Sequence, residues 1–161
     1  MFPFKSYKTP LLYILLIFAL DRISKIWALA YLKEIGNINV LPFFKLTYVQ
    51  NTGAAFGSFQ NGNTALIFVS IIVLLALIKY RKDIFILGKT AAWGWVFIIG
   101  GAFGNLYDRI FIGYVVDYFN FIVWPVFNIA DSFITVGAIM LAWCILKDEY
   151  KKIKQKREVQ K

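Results

Sequence analysis

The chain has 161 residues, with 60% hydrophobic, 19% aromatic and 17% charged residues and a formal net charge of +9; its mean hydropathy is +0.64. A soluble domain of this size is nearer half apolar and a quarter charged, and it lacks the interior to hide so much apolar surface; composition therefore excludes a soluble or disordered chain and points to an integral membrane protein. With no histidine every imidazole mechanism is out, and the single Cys144 excludes intramolecular disulfides and thiolate clusters.

In chain order, the first apolar segment covers about 10–32 and is interrupted by Asp21-Arg-Ile-Ser-Lys25. No small-residue cleavage site precedes Asp21 and the apolar stretch continues past it, so it is expected to be a span and not a removed signal peptide. Asp21 and Lys25 stand four apart, acid first, which suits an ion pair supporting the helix. The following connection, 36–62, is rich in strand formers and reads as one or two short strands ending in the turn Gln50-Asn51-Thr52-Gly53. Further spans are expected at about 63–80 and 89–107. The latter carries Gly100 and Gly104, a face that lets another helix approach closely, followed by Asn105, Asp108 and Arg109 on one side of its end. Residues 110–125 are again strand-like around Asp117.

The last span, about 126–146, opens with Asn128, Asp131, Ser132 and Thr135 at helical spacing. Such a polar stripe faces protein or a wet cavity, not lipid. A helix starting near Val126 would put Asp131 about 8 Å inside its outer end. Thirteen of the 18 Lys and Arg fall on the side of the two termini and the middle connection, which places both termini in the cytoplasm. Residues 147–161 then form a basic cytoplasmic tail; no nucleic-acid-binding motif accompanies the charge. The expected fold is an all-α integral membrane protein, a single domain over 1–161, with four transmembrane helices and a small extracytoplasmic β-sheet from the first and third loops.

Acids near a bilayer core are costly and mark function. Asp117 and Asp131 can reach one place at the outer interface. Two close carboxylates do not both ionise cheaply, so one holds a proton while the other activates water, the logic of aspartic peptidases. A Ser–Lys scheme fares worse, because Ser24 and Lys25 lie on different helix faces. An all-oxygen metal site lacks support, and no cofactor is indicated. A proton relay or transporter through Asp21, Asp108 and Asp131, and a packing protein using Gly100 and Gly104, are the competing readings.

Five segments in order carry a resemblance: Asp21-Arg-Ile-Ser-Lys25, Asn51-Thr-Gly-Ala-Ala-Phe-Gly57, Gly100-Gly-Ala-Phe-Gly-Asn-Leu-Tyr-Asp-Arg109, Val115-Val-Asp117-Tyr-Phe and Phe127-Asn-Ile-Ala-Asp-Ser132. On them the chain resembles the bacterial lipoprotein signal peptidases, or signal peptidase two. The resemblance implies an aspartic endopeptidase of the bacterial inner membrane that removes signal peptides from diacylglyceryl-modified prolipoproteins, cutting before the lipidated lipobox cysteine. It implies Asp117 and Asp131 as the catalytic pair, with Asn51, Asn105, Arg109 and Asn128 lining the site. Gly53 in the outer turn is expected to allow close approach of the peptide, and Asp21, Lys25 and Asp108 to support the structure. Membrane lipids are the expected surroundings and a monomer the expected state.

Overall fold

The computed structural model of the chain describes residues 8–53 and 62–159. Residues 54–57 of the second motif, and Lys5 and Lys161 of the charge count, lie outside them. Helix α1 spans Lys8–Trp27 and runs on through a wider π-helical turn, Ala28–Leu32, into the short α2, Lys33–Ile35. Gly36, at φ 85°, ends this run in a conformation that glycine adopts without strain. Strands β1 (Asn37–Leu41) and β2 (Phe44–Asn51) follow, then α3 (Asn63–Lys79), α4 (Arg81–Ile86), α5 (Lys89–Phe111), β3 (Val115–Asn120) and α6 (Ile129–Val159).

Two layers result. In the first, α5 is the central helix, packed against α1, α3 and α6. Ile17, Leu74, Phe85, Trp95, Val96, Ile99 and Leu106 form its core. The expected glycine face is used by α1: a Cβ on Gly100 would lie 2.9 Å from Ile17 Cβ, and one on Gly104 would collide with the Asp21 carboxylate. A second close approach was not foreseen in the sequence. Gly94 and Gly137 let α5 and α6 touch, a Cβ at Gly94 falling 2.7 Å from the Gly137 carbonyl oxygen.

The outward faces are apolar. Leu11, Leu15 and Ile23 of α1, Phe68, Ile72 and Leu75 of α3, and Ile139 and Trp143 of α6 are all exposed. Contiguous apolar exposure on this scale is foreign to a soluble monomer. By length and hydropathy, one described helix, α6, is long and apolar enough to cross a membrane, at a mean hydropathy of 2.0. Helices α1 and α5 carry internal charges, and α3 has 17 residues.

The second layer is an antiparallel sheet in the order β1-β2-β3, so both connections expected to be strand-like do supply it. Ala28 and Leu32 of the π-helical turn pack on Val116 and Tyr118 of β3 and fasten the sheet to the helices. Gly113 (φ 89°) closes α5, its N–H donating to the Asp108 carbonyl (3.0 Å), and turns the chain straight into β3. The β2–β3 register shifts between Leu46 and Val49, a bulge that leaves Val49 opposite Asp117.

Helix α6 begins at Ile129, not near Val126. Phe127 is held in an extended bridge to β3, its carbonyl accepting from the Tyr118 and Phe119 N–H groups (3.1 and 2.8 Å), so it cannot also be helical. Asp131 is therefore the third helical residue, about 3 Å from the helix start at 1.5 Å per residue. The segment expected as a separate tail from 147 continues the same helix to Val159.

Candidate active site

The site is built on a buried ion cluster where α1 faces α5. Asp21 and Asp108 are fully buried and Lys25 is 2% exposed. Lys25 Nζ lies 2.9 Å from Asp21 Oδ2 and 2.9 Å from Asp108 Oδ2. Its third N–H donates to Asn105 Oδ1 at 2.8 Å, which completes the three donors of an ammonium. Arg22 Nη1 meets Asp108 Oδ1 at 2.6 Å. The expected Asp21–Lys25 pair thus exists but is half of a four-charge group. Burying it costs desolvation energy that only good geometry and full hydrogen bonding recover. Asp21 Oδ1 also accepts from the Ala130 N–H at 3.1 Å, placing negative charge at the N-terminal end of α6.

Asn105, Asp108 and Arg109 share an end of α5 but separate in use. Asp108 turns to α1 and also accepts from the Val116 N–H of β3 at 3.3 Å. Asn105 turns to α6, its Nδ2 donating to Asp131 Oδ1 at 2.7 Å. Arg109 is not paired with Asp108; its Nε is buried without a hydrogen-bond partner among the described residues. Its carbonyl accepts from Asn63 Nδ2 at 3.0 Å, which ties the start of α3 to the end of α5.

Asp117 and Asp131 come from β3 and α6, and Asn128 joins them. Asn128 Nδ2 donates to Asp117 Oδ1 at 2.6 Å. Its Oδ1 accepts from the Asp131 N–H at 2.9 Å, while its own N–H donates to Asp131 Oδ2 at 3.2 Å. This reciprocal arrangement caps α6 and fixes the Asp131 carboxylate in one step. Asp117 Oδ2 accepts from Asn51 Nδ2 at 2.8 Å, and Asn51 Oδ1 in turn accepts from the Gly53 N–H at 3.0 Å. Gly53 is buried and serves to orient Asn51, two residues before it. Of the expected polar stripe on α6, Asn128 is the cap, Ser132 donates back to the Asn128 carbonyl at 3.0 Å, and Thr135 is exposed.

Burial first, and then the negative charge of Asp131, push the Asp117 carboxyl up from an ordinary 3.8 to about 7, against the pull of its Asn51 and Asn128 hydrogen bonds and the Lys25 charge. Asp117 is therefore poised to hold or release a proton near neutrality. Because the folded value is raised, the favourable contribution of neutral Asp117 is complete below about pH 4 and is lost as pH rises through about 7. Thermal stability measured across this range is expected to decline toward neutral pH, and Asp117→Asn to flatten that decline; an unchanged slope in the variant would contradict the assignment.

Arg22, Ser24 and Tyr118 lie within the matched motifs, but nothing in the sequence assigned them a role in the site. Arg22 joins the ion cluster through Asp108. Tyr118 donates from its hydroxyl to Ser24 Oγ at 2.6 Å, and Ser24 donates to the Asp21 carbonyl at 2.9 Å, linking β3 to α1 beneath the site. Burial lifts the Tyr118 phenol to about 12, so it stays a donor at physiological pH. Partners 94 residues apart leave no pattern to read.

A sequence model of signal peptidase (SPase) II matches residues 13–147, which include every polar residue of this site from Asp21 to Asp131. The chain belongs to the signal peptidase II family. It is a peptidase of that family, as its motifs lead one to expect. The lipoprotein signal peptidase of Clostridium acetobutylicum is 44% identical over 138 residues, covering 81% of this chain and 90% of its own. That of Clostridioides difficile is 42% identical over 146 residues, covering 88% and 97%. A bacterial membrane enzyme solved by the in meso method at 2.3 Å resolution superposes with a TM-score of 0.81 at 29% identity, over 94% of this chain and 96% of its own. Another, at 1.9 Å, gives 0.77 over 92% and 99%. The described part of this signal peptidase II chain accordingly has a mostly helical fold with a small antiparallel sheet, matching a membrane enzyme.

Proposed function

We propose that the chain is an aspartic endopeptidase that removes the signal peptide of lipidated prolipoproteins, with Asp117 and Asp131 as its catalytic pair. The observation that carries this reading is Asn128: a single buried residue whose side-chain amide donates to the Asp117 carboxylate and whose backbone N–H donates to that of Asp131, holding side chains from a strand and a helix in one place. One carboxyl is neutral and the other ionised. The ionised one takes a proton from a water, and the water oxygen attacks the carbonyl before the lipidated cysteine. The neutral one hydrogen-bonds that carbonyl oxygen and then supplies the proton that the leaving nitrogen needs as the C–N bond breaks. Asn51, Asn105 and Asn128 keep the pair in register, and Arg109 is a donor for the peptide backbone.

In the same reading α1, α3, α5 and α6 are four membrane spans of a single domain, with the sheet and the Asp pair at the outer leaflet of the bacterial inner membrane. The charge distribution along the sequence supports cytoplasmic termini and a basic cytoplasmic end to α6. The exposed apolar helix faces are suited to lipid.

Purified protein in detergent, given a prolipoprotein with and without its diacylglyceryl group, tests the reading. Signal-peptide loss from the lipidated form alone is expected. A well-folded protein that cleaves neither form would overturn the peptidase assignment, and equal cleavage of both would overturn the lipid requirement.

A further inference from the structure

Beneath the carboxylate pair lies a charged group to which the sequence assigned only support. Lys25 touches neither Asp117 nor Asp131. It reaches Asp131 through a single residue, Asn105, which accepts from Lys25 Nζ on one side (2.8 Å) and donates to Asp131 Oδ1 on the other (2.7 Å). An amide side chain has two possible orientations, and an ammonium has only donors. Lys25 therefore compels Asn105 to present its oxygen to α1 and its N–H₂ to Asp131. The same Asn105 oxygen also accepts from Asn128 Nδ2 at 3.2 Å, so the orientation of one amide is passed to the residue that holds Asp117.

Charge makes a second link. Among the described residues, Lys25 of α1 and Arg109 of α5 act on the pair directly, Asp21 and Asp108 hold Lys25 with Arg22 on Asp108, and Tyr118 of β3 stands beside Asp117; β2 contributes the neutral Asn51. Asp21, Asp108, Arg22 and Lys25 sum to zero, and all are 14% exposed or less. One amide between Lys25 and Asp131 puts the ammonium within about 8 Å of that carboxylate. At an effective dielectric constant of about 20, a unit charge at that distance moves a titration by about 1.5 pH units.

Resting on the catalytic pair proposed above, we infer that Lys25 is a positioning residue for the cleavage reaction: it locks the Asn105 amide toward Asp131 and balances the charge under the pair. Lys25 belongs to the working parts of the site as much as to the packing of α1.

The test is the pH profile of kcat/KM on lipidated prolipoprotein, with melting temperature recorded alongside. Lys25→Gln removes a positive charge, so both limbs of the profile should move up by about 1.5 pH units, with kcat down about 10–100-fold and KM little changed, the signature of misplaced reacting groups. Asp108→Asn removes a negative charge from the same cluster, so both limbs should move down. Both variants lower the melting temperature, yet the shifts are opposite. Arg22→Gln, at the 14%-exposed rim of the cluster, keeps the centre filled and should shift the limbs upward by less. It carries the test if the other two fail to fold. Lower stability with unmoved limbs in every folded variant would overturn the inference. Asp117→Asn and Asp131→Asn run in parallel: if they still cleave, the catalytic pair itself is wrong; if they do not and the limbs stay put, only the role of Lys25 is.

Discussion

Asp117→Asn and Asp131→Asn should each abolish cleavage of lipidated prolipoprotein, by at least about 10²–10⁴-fold, the range typical of losing a general acid or base, while the folded protein is recovered in normal yield. Asparagine keeps the size of the side chain and the acceptor oxygen but cannot exchange a proton at these pH values. In Asp117→Asn one amide oxygen can still accept from Asn128 or from Asn51, so the packing around β3 survives. In Asp131→Asn the oxygen can remain on Asn105 Nδ2. The two changes should be equally severe, since each half of the reaction needs a partner in the opposite protonation state. Product quantified on a gel over a range of enzyme concentrations reads the effect. Measurable turnover by either folded variant would remove that residue from the pair.

The second large effect is on stability. Asp21→Asn should lower the free energy of unfolding by about 3–5 kcal/mol, the cost of breaking a buried charge group by removing one member, while the folded molecules still cleave, with the pH limbs of kcat/KM moving down as for Asp108→Asn because the same cluster loses a negative charge. Asp21 is fully buried, 2.9 Å from Lys25 and bonded to the first turn of α6 through Ala130. Neutralising it leaves Lys25 and Arg22 sharing Asp108 alone and takes negative charge away from a helix N-terminus. Gly104 packs directly on this carboxylate, so there is no room for a bulkier side chain to compensate. Thermal unfolding in detergent, with specific activity measured on the folded fraction, separates the two quantities. A variant that is as stable as the parent but inactive would reverse the roles assigned to Asp21 and Lys25.

Different parts of this arrangement were legible to different degrees. The two close carboxylates were, because an aspartate on a polar stripe of an otherwise apolar helix and another just before it have few alternative uses. The strands were legible from alternating β-formers, and the Gly100–Gly104 face from its spacing. The position of Asp131 along α6 was not: the apolar run begins at Val126, but the bridge from Phe127 to β3 withholds that residue from the helix. The company of Asp108 was also missed. The sequence placed it on one side of the helix end with Asn105 and Arg109, whereas its ordered contacts are with Arg22 and Lys25 on another helix.

By itself the sequence determined the class of protein, its apolar segments and the chemistry on offer. Hydropathy and charge bias are sums over some twenty residues of a span and survive any detail of packing, and the ordered motifs identify the family. The tertiary structure decided which amide meets which carboxylate, that Lys25 reaches the site through Asn105, and that Asn128 bonds both acids. Those contacts join residues up to 80 positions apart and depend on a few tenths of an ångström. That distance is set by which helix seats on each glycine face and by where a strand bulge points its side chains, and neither is written in any local run of residues.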